Sequence, residues 1–326
     1  MVGGLFIILL GIVATSYGIT NPLRKLTAFA GDISAGNLDV RIEGLKRRDE
    51  IQRLVEVFNK TVADLNQYIK DFTAATKAKE AVESELRIAR QIQESLLPRV
   101  FPAFPDRPEF DLYAKNEPAK DVAGDFYDFF FLEEDQLAVL IADVSGKGVP
   151  AALFMAVNRT LMKTVCQKGV GPAASIRAAN EILSRDNDAC MFTTMFLAVF
   201  NVKTGDLVYA NAGHNPPYIL GQSGETRAVK EKGGAALGVI DDCEYRSHSI
   251  MLRPGDTLFL YTDGVTEAAD AAQNLFSDQR LITELSLNGS KPVKDIVSSV
   301  MALVKAFSHE VEQTDDITML VIRFKG

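Results

Sequence analysis

The chain has few of the residues on which much enzyme chemistry depends. Its 326 residues include three cysteines and three histidines. The cysteines, Cys166, Cys190 and Cys243, form no C-x-x-C pair, and an odd number cannot all pair within one chain. Packed free thiols in a reducing compartment fit this pattern. The three histidines form no obvious catalytic triad, so the chemistry has to be sought among other side chains.

Basic residues are in the minority as well. The formal net charge is −8, which argues against general nucleic-acid binding, because that function requires a basic face. A metal-dependent nuclease is disfavoured on the same ground. Hydrophobic residues make up 47% of the chain, enough to build a full core, and the length allows a catalytic domain plus further segments.

Charge is absent from the start of the chain. Val2 to Ile19 contain no charged residue, and eighteen helical residues span about 27 Å, just enough for a bilayer core. A secretory signal would need a basic start and a shorter apolar run. Asn21-Pro22 then stops the apolar pattern, as an interfacial boundary would. We expect a transmembrane helix over residues 1–20, with a buried helix of a soluble core as the alternative.

Basic residues that follow the span set its expected orientation. They are Arg24, Lys25, Arg41, Lys46, Arg47 and Arg48. An excess of Lys and Arg marks the cytoplasmic side, which predicts a protein of the inner (cytoplasmic) membrane with its catalytic domain in the cytoplasm. One residue precedes the span. The chain is therefore either a minimal anchor or the C-terminal part of a longer receptor, and we favour the second.

Two short apolar stripes at helical spacing follow the span. The first ends at Gly36-Asn37-Leu38, an irregular connector covers 39–48, and Asp49-Glu50 open the second helix with acids that suit its dipole. Such stripes cannot be buried alone, which predicts pairing in a homodimer as a parallel four-helix bundle. With Pro22 placed after the span, residues 21–69 resemble a HAMP domain, the signal relay found just inside bacterial receptor membranes.

Residues 70–98 are predicted to continue as a helical linker that ends at Leu96-Leu97-Pro98. The seam of the preceding helix alternates steps of four and three residues, through Phe58, Val62, Leu65, Ile69 and Phe72. Carried onward, the seam meets polar residues at Thr76, Lys79 and Glu83. A coiled coil with an interrupted seam and a plain solvated helix remain open alternatives.

From Phe110 the pattern changes to short strands with helices grouped between them. Strands are expected at 110–116, 126–132, 137–142, 193–201, 206–212, 217–220, 247–252, 257–261 and 318–323. Helices are expected at 149–167, 171–184, 278–287 and 292–307. This order argues for an α+β fold in which two sheets are covered by helices.

Four aspartates lie at the ends of these strands: Asp125, Asp143, Asp263 and Asp315. Carboxylates brought together from neighbouring strands repel one another unless a hard cation joins them. The pattern therefore predicts a Mg²⁺ or Mn²⁺ site, where a water activated by the metal could attack a phosphoester. Each signal alone is weak: Asp143 and Asp263 could mark simple turns, Asp315-Asp316 a helix cap or surface acids, and Asp125 and Asp128 could be exposed.

The motifs around these aspartates resemble the bacterial branch of the PPM (type 2C) serine/threonine phosphatases, the SpoIIE/RsbU type. They are Ala89-Arg90-Gln91-Ile92-Gln93-Glu94-Ser95-Leu96-Leu97-Pro98, Ala123-Gly124-Asp125-Phe126-Tyr127-Asp128, Asp143-Val144-Ser145-Gly146-Lys147-Gly148, Asn211-Ala212-Gly213-His214-Asn215-Pro216-Pro217, Gly234 to Gly238, Tyr261-Thr262-Asp263-Gly264 and Asp315-Asp316-Ile317-Thr318. The resemblance implies an α-β-β-α sandwich phosphatase domain over 99–326, preceded by the transmembrane helix, the HAMP helices and a coiled-coil linker.

The same resemblance implies a site with two Mn²⁺ or Mg²⁺ ions. Asp143 would bridge both, with the Val144 carbonyl as a further ligand, Asp125 would bind the second ion, and Asp263 and Asp315 the first. Asp316 ranks below Asp315 as a ligand. His214, in a rigid Gly-His-Asn-Pro-Pro turn, is read as architectural, with general acid as the alternative. Lys147 could meet phosphate as a point charge or be solvated.

The function that follows is a membrane-tethered, HAMP-coupled, metal-dependent serine/threonine protein phosphatase. In relatives of this type the phosphorylated protein substrate is often an anti-sigma-factor antagonist. The alternative is a non-catalytic output domain of a membrane receptor that binds a phosphoprotein without turning it over.

Overall fold

The computed structural model describes residues 2–43, 49–185, 187–222, 224–231, 233–309 and 311–326. Three of the basic residues used above to orient the span, Lys46, Arg47 and Arg48, lie outside the described residues. The chain divides into two compact units, Met1–Glu85 and Leu86–Gly326, and each is considered by itself.

The first unit begins with a long apolar helical run. Helix α1 (Val2–Thr15), a π-helical turn (Ser16–Thr20) and helix α2 (Asn21–Ser34) follow one another without a break. By length and composition, Gly3–Ser34 could cross a membrane, and none of its most apolar stretch is buried. The expected alternative of a buried core helix therefore does not describe it. Pro22 ends the apolar pattern but not the helix, because the wider turn before it accommodates the missing N–H.

In the described part of the connector after α2, Ile42 packs against both neighbouring helices. Helix α3 (Glu50–Leu96) begins where the acidic pair predicted it, and its residues beyond Lys70 continue the same helix. Leu26, Ile42 and Val55 form a small buried cluster. Asn59 fixes the connector: its Oδ1 accepts a hydrogen bond from the Ile42 N–H at 3.0 Å, and its Nδ2 donates to the Ile42 carbonyl at 3.1 Å. The predicted order of helix, connector and helix is confirmed.

The second unit contains two five-stranded antiparallel sheets. Sheet A has the order β1-β10-β9-β6-β7 and sheet B the order β2-β3-β4-β5-β8. The strands are β1 (Phe110–Glu117), β2 (Phe126–Glu133), β3 (Gln136–Val144), β4 (Thr193–Asn201), β5 (Asp206–Ala212), β6 (Tyr218–Leu220), β7 (Thr226–Ala228), β8 (His248–Met251), β9 (Thr257–Tyr261) and β10 (Ile317–Phe324). Strands from distant parts of the chain, such as β1 and β10, are therefore direct neighbours.

Three apolar layers hold the sheets and helices together. Helices α4 (Val149–Cys166) and α5 (Pro172–Leu183) cover sheet B, and α6 (Ser277–Asn288) and α7 (Val293–Phe307) cover sheet A. A third layer lies between the two sheets. This is the expected α-β-β-α sandwich, and its layers arise because alternate residues of each inner strand point to opposite faces.

Each helix and strand expected from residue 110 onward is present, within about two residues at its ends. The structure also contains β7, a three-residue strand that the sequence analysis did not predict. Its residues Thr226–Ala228 are half-buried or exposed, so they carry no alternation of apolar and polar residues that would reveal a strand.

One tight turn depends on the absence of a side chain. Gly205, between β4 and β5, has a φ of +83°, and a Cβ atom there would collide with the Leu252 carbonyl and lie 2.8 Å from the Phe324 ring. Gly224 has the same φ of +83° but no heavy atom within 4 Å of such a Cβ. An alanine at Gly224 would therefore meet backbone strain alone, whereas an alanine at Gly205 would meet both strain and steric collision.

We expect Gly205→Ala to destabilise the protein more than Gly224→Ala. The left-handed backbone costs each variant about 1–2 kcal/mol, and overpacking adds about 1–3 kcal/mol to the free-energy cost of Gly205→Ala alone. Thermal unfolding followed by circular dichroism measures both. Equal losses in the two variants would contradict the collision.

Candidate metal centre

Asp125 and Asp143 meet because two neighbouring strands of sheet B run in opposite directions. Phe126 of β2 pairs with Ala142 of β3, so the same register places Asp125 opposite Asp143 at the end of the sheet. One carboxylate stands just before its strand and the other at the end of its own. The antiparallel ladder therefore brings together two residues that lie 18 positions apart in the sequence.

Strand alternation decides which way these side chains point. In β3, Leu137, Val139 and Ile141 face the layer between the sheets, so Asp143 continues that row. In β2 the inter-sheet row is Tyr127 and Phe129, which Asp125 extends at its start. Both carboxylates therefore face sheet A.

Asp128 follows the other row of β2 and faces helix α4. Its carboxylate pairs with Arg159 at 2.9 Å and is 1% exposed. The alternative that Asp125 and Asp128 are surface residues is wrong for both, since Asp125 is 2% exposed. Only Asp125 belongs to the acidic group, and Asp128 is half of a buried ion pair under the helices.

Sheet A supplies Asp263 and Asp315 at the corresponding end. Asp263 opens a 3₁₀ turn just after β9. Asp315 lies just before β10, the strand that pairs with β9 in the sheet. Thr262 faces the inter-sheet layer, and its hydroxyl donates to Asp125 Oδ2 at 2.6 Å. This buried hydrogen bond joins the two sheets at the acidic group.

Burial and mutual repulsion make these carboxylates costly to ionise together. Burial is the largest cause that raises the pKa of Asp125, and the Asp143 charge raises it further. The pKa of Asp143 is raised by burial and then by Asp263, against which a hydrogen bond with Asp125 acts. Burial and the Asp315 charge raise the pKa of Asp263. Groups that repel in this way favour a bound cation.

A lysine ammonium supplies positive charge at one side of the group. Lys147, in the turn between β3 and α4, places its Nζ 2.8 Å from Asp315 Oδ2 and donates a hydrogen bond to the Thr314 carbonyl. A second oxygen of Asp315 accepts from the Asp316 N–H at 2.9 Å. The Lys147 side chain is partly exposed and forms an ion pair with Asp315, so phosphate contact stays a prediction.

The carboxylates approach one another in pairs. Within the described ranges, no three Asp, Glu, His or Cys side chains converge tightly enough to define a coordination shell. Their chemistry nonetheless fits a hard divalent cation, because every side-chain donor is a carboxylate oxygen. The Lys147 ammonium beside Asp315 marks a place where a cation is already favourable.

Gly124 packs closely against the Val144 carbonyl. A Cβ atom at Gly124 would lie 3.0 Å from the Val144 oxygen and 3.2 Å from Ala151 Cβ. Any larger residue would press on the end of β3 and on the start of α4. The glycine of the Ala-Gly-Asp motif therefore permits a close approach between the Asp125 segment and the backbone beside Asp143.

Asp316 uses its carboxylate to hold backbone. Its Oδ1 accepts from the Ala119 N–H at 2.7 Å, and its Oδ2 accepts from the Gly124 N–H at 2.6 Å and the Asp125 N–H at 3.4 Å. The side chain is 6% exposed. Asp315 and Asp316 thus differ. Asp315 forms an ion pair with Lys147, whereas Asp316 accepts hydrogen bonds from the backbone of the segment that carries Asp125.

His214 is packed beneath the acidic group. Its Nδ1 lies 2.8 Å from Thr194 Oγ1, and Thr194 pairs with Asp143 across β3 and β4. Asn211 holds the His214 main chain through hydrogen bonds of 2.7 and 3.0 Å. Burial lowers the pKa of His214 to about 4, partly opposed by a backbone hydrogen bond at Tyr261. These contacts favour the architectural reading.

Several contributors to the site were not assigned a role from sequence. Thr262, Asn116 and Gln93 all touch the Asp125 segment: Asn116 donates to the Asp125 carbonyl at 3.0 Å, and Gln93 binds Ala123. Thr262 and Gln93 lie inside quoted motifs, so their position was a signal. Asn116 continues the inter-sheet row of Phe110, Leu112 and Ala114, which only the strand register reveals.

Family profiles match both parts of the chain. The family described as "Stage II sporulation protein E (SpoIIE)" matches residues 133–325, and the HAMP domain matches residues 15–67. The matches agree with the two resemblances stated from the motifs.

Curated relatives and solved structures give the same picture. Protein IcfG of Synechocystis is 32% identical, with 93% of this chain and 51% of the relative covered. Phosphoserine phosphatase RsbU of Bacillus subtilis is 33% identical, with 75% and 71% covered. The SiaA-PP2C domain of Pseudomonas aeruginosa is 25% identical with a TM-score of 0.68, over 76% of this chain and 98% of that one. The chain spans about half the length of IcfG.

The buried imidazole predicts a pH dependence of stability. The pKa of His214 is about 4 in the folded chain and near 6.5 in the unfolded chain. Between these values the unfolded chain binds a proton that the folded chain does not bind. The stability from His214 is present above pH 6.5 and is lost as pH falls towards 4, by on the order of 3 kcal/mol at most. Unfolding free energies of the wild type and His214→Gln, measured across this range, should converge as pH falls. A constant difference would contradict the buried neutral form.

Proposed function

The chain belongs to the SpoIIE family, and from this premise we propose that it is a metal-dependent phosphatase acting on phosphoserine or phosphothreonine of a regulatory protein. The observation that supports the proposal is that Asp125 and Asp143 of sheet B and Asp263 and Asp315 of sheet A lie at the same end of the sandwich, where the Asp263 charge raises the pKa of Asp143 and Thr262 binds Asp125. A protein that only bound phosphate would be expected to present basic groups there rather than repelling carboxylates.

Two divalent cations, Mn²⁺ or Mg²⁺, are the proposed cofactors. Asp143 would bridge them with the Val144 carbonyl beside it, Asp125 would hold the second, and Asp263 and Asp315 the first. Asp316 is a weaker candidate, because its oxygens accept three backbone N–H groups. Lys147 would yield Asp315 to the cation, since an ammonium on a flexible stem is readily displaced.

The cations would activate a water for in-line attack on phosphorus and neutralise charge on the phosphoryl oxygens. The protein's own contribution is placement. Thr262 fixes the orientation of Asp125, and the Asp316 carboxylate fixes the backbone of the Asp125 segment. Repulsion between Asp143 and Asp263 keeps the site receptive to positive charge. No side-chain nucleophile is required, in keeping with the packed position of His214.

The substrate class rests on similarity. RsbU, which is 33% identical, is a phosphoserine phosphatase by name. We extend that activity to this chain, and the proposed substrate is a phosphorylated regulatory protein such as an anti-sigma-factor antagonist. The net charge of −8 gives no support to a nucleic-acid substrate.

The rest of the chain is proposed to anchor and regulate the phosphatase domain. The apolar N-terminal helix and the HAMP domain are consistent with membrane anchoring. We propose a transmembrane helix at 1–20, a HAMP domain at 21–69, a linker at 70–98 and the phosphatase domain at 99–326. The phosphatase domain would then lie in the cytoplasm beneath the inner membrane.

A homodimer is proposed from the helical seam of α3. Leu65, Ile69 and Phe72 are 41%, 41% and 64% exposed in the single chain. They recur at steps of four and three residues, the spacing at which a second helix packs. A second copy of the chain would bury this row.

We expect phosphate release from a phosphoserine protein in the presence of Mn²⁺, and its loss in Asp143→Asn by at least about 10³-fold, because that variant removes the central carboxylate. Asp242→Asn, at an exposed position, is the matched control. Phosphate release by the purified full chain in detergent measures both. Tight phosphoprotein binding without turnover by the wild type would instead favour the non-catalytic output domain.

The dimer is tested by mass. The chain is 35.6 kDa, and light scattering of the detergent-solubilised protein should give twice that value after correction for detergent. Ile69→Asp places a charge in the seam and should shift the mass towards the monomer. Gln67→Asp adds the same charge at an exposed position away from the seam and should not. A wild-type monomer at all concentrations would overturn the proposal.

A further inference from the structure

A buried glutamine stands near the end of the long helix α3. Gln93 is 7% exposed, whereas its neighbours Gln91 and Ile92 are exposed. Burying an amide is unfavourable unless its polar atoms are hydrogen-bonded. The position of Gln93 therefore requires partners, and both are on one residue.

The Gln93 side chain pairs with the backbone of Ala123. Its Nε2 donates to the Ala123 carbonyl at 2.6 Å, and its Oε1 accepts from the Ala123 N–H at 2.9 Å. Because donor and acceptor are both matched, only one orientation of the amide satisfies the pair. Gln93 thus holds both backbone polar groups of Ala123, as the backbone of a neighbouring strand would.

The gripped residue lies two positions before Asp125. Ala123 and Asp125 are each 2% exposed, and the stretch from Ala119 to Asp125 has no helix or strand of its own. Its shape therefore depends on side chains that bind its backbone. Asp316 holds it from the opposite end of the chain, through the Ala119 and Gly124 N–H groups.

The end of α3 is itself fixed against sheet B. The Tyr127 hydroxyl donates to the Pro98 carbonyl at 2.7 Å, and Leu97 packs against the apolar layers. Gln93 therefore acts from a fixed base. A change at Gln93 would be felt at Ala123 and, through Gly124, at the Asp125 carboxylate.

We propose that Gln93 is a positioning residue that sets the affinity of the site for its second divalent cation by holding the Asp125 segment. The inference rests on the proposed function, because it takes Asp125 as a ligand of that cation. Gln93 touches no reacting group, and its effect passes through Ala123. Residues that orient metal ligands in this indirect way commonly change metal affinity about 10–100-fold when altered.

The test compares Gln93→Met with Gln91→Met in the full chain in detergent. Methionine keeps the length of glutamine but forms neither hydrogen bond, and Gln91 provides the same substitution at an exposed site of the same helix. Amide hydrogen exchange over residues 119–125 without added metal reports whether the Gln93 side chain holds this segment. Calorimetric titration with Mn²⁺ reports affinity, and phosphate release at saturating Mn²⁺ reports turnover.

We expect Gln93→Met to accelerate exchange over 119–125 and to weaken binding of one Mn²⁺ about tenfold or more. Turnover at saturating Mn²⁺ should remain within about twofold of the wild type, because positioning is restored once the cation is bound. Gln91→Met should match the wild type in all three. Unchanged exchange or unchanged Mn²⁺ affinity in Gln93→Met would overturn the proposal.

A second variant covers the possibility of misfolding. Gln93→Asn keeps a neutral amide but shortens the side chain by one methylene, so it loses reach to Ala123 without burying a charge and should change exchange and affinity in the same direction. Wild-type exchange and affinity in Gln93→Asn would also overturn the proposal. Failure of the proposed function is separate: it would appear as Mn²⁺ binding and protected amides in a wild type that releases no phosphate.

Discussion

Carboxylates from both sheets lie at one end of the sandwich, and their burial and mutual repulsion must be offset by neighbouring groups. Asp125 is buried beside Asp143, and Asp263 lies close enough to raise the pKa of Asp143. Such a group is tolerated only where hydrogen bonds and positive charge offset the cost of burial. Here the Thr262 hydroxyl and the Lys147 ammonium do so, and a divalent cation would do so more completely.

The strand geometry of the sandwich sets the direction in which these carboxylate and hydroxyl side chains point. Strand alternation sends Asp125, Asp143 and Thr262 into the layer between the sheets, while the same rule turns Asp128 towards the helices and Arg159. A single step of register in β2 would turn Asp125 towards the helices and Asp128 towards the other sheet. The apolar layers therefore specify the site as well as the stability of the domain.

The long helix α3 gives the domain a link to its N-terminal side. Its last turns carry Gln93, which binds Ala123 just before Asp125, and lead to Pro98, whose carbonyl accepts a hydrogen bond from Tyr127 in the strand that follows Asp125. Helix α3 begins at Glu50, so residues of the HAMP domain and Gln93 belong to one uninterrupted helix.

Much of the fold was predictable from local pattern. Period-two alternation located the main strands, helical spacing located α4 to α7, and the motifs placed each acidic residue at a strand end. Among the strands that the structure describes, β7 was not predicted, because its three partly exposed residues carry no periodic signal. The apolar stretch ends near Pro22, but the helix continues past this residue, after a π-helical turn at Ser16–Thr20.

Neighbouring residues in the sequence were enough to locate the aspartates at the strand ends, the order of the elements and the apolar span, because these are local properties. Tertiary structure alone decided that Gln93 binds Ala123, that Asp316 holds Gly124 from 192 positions away and that Asp128 leaves the group. Those contacts depend on strand register and on which strands become neighbours. Both are set by how the whole core packs, and no local pattern encodes them.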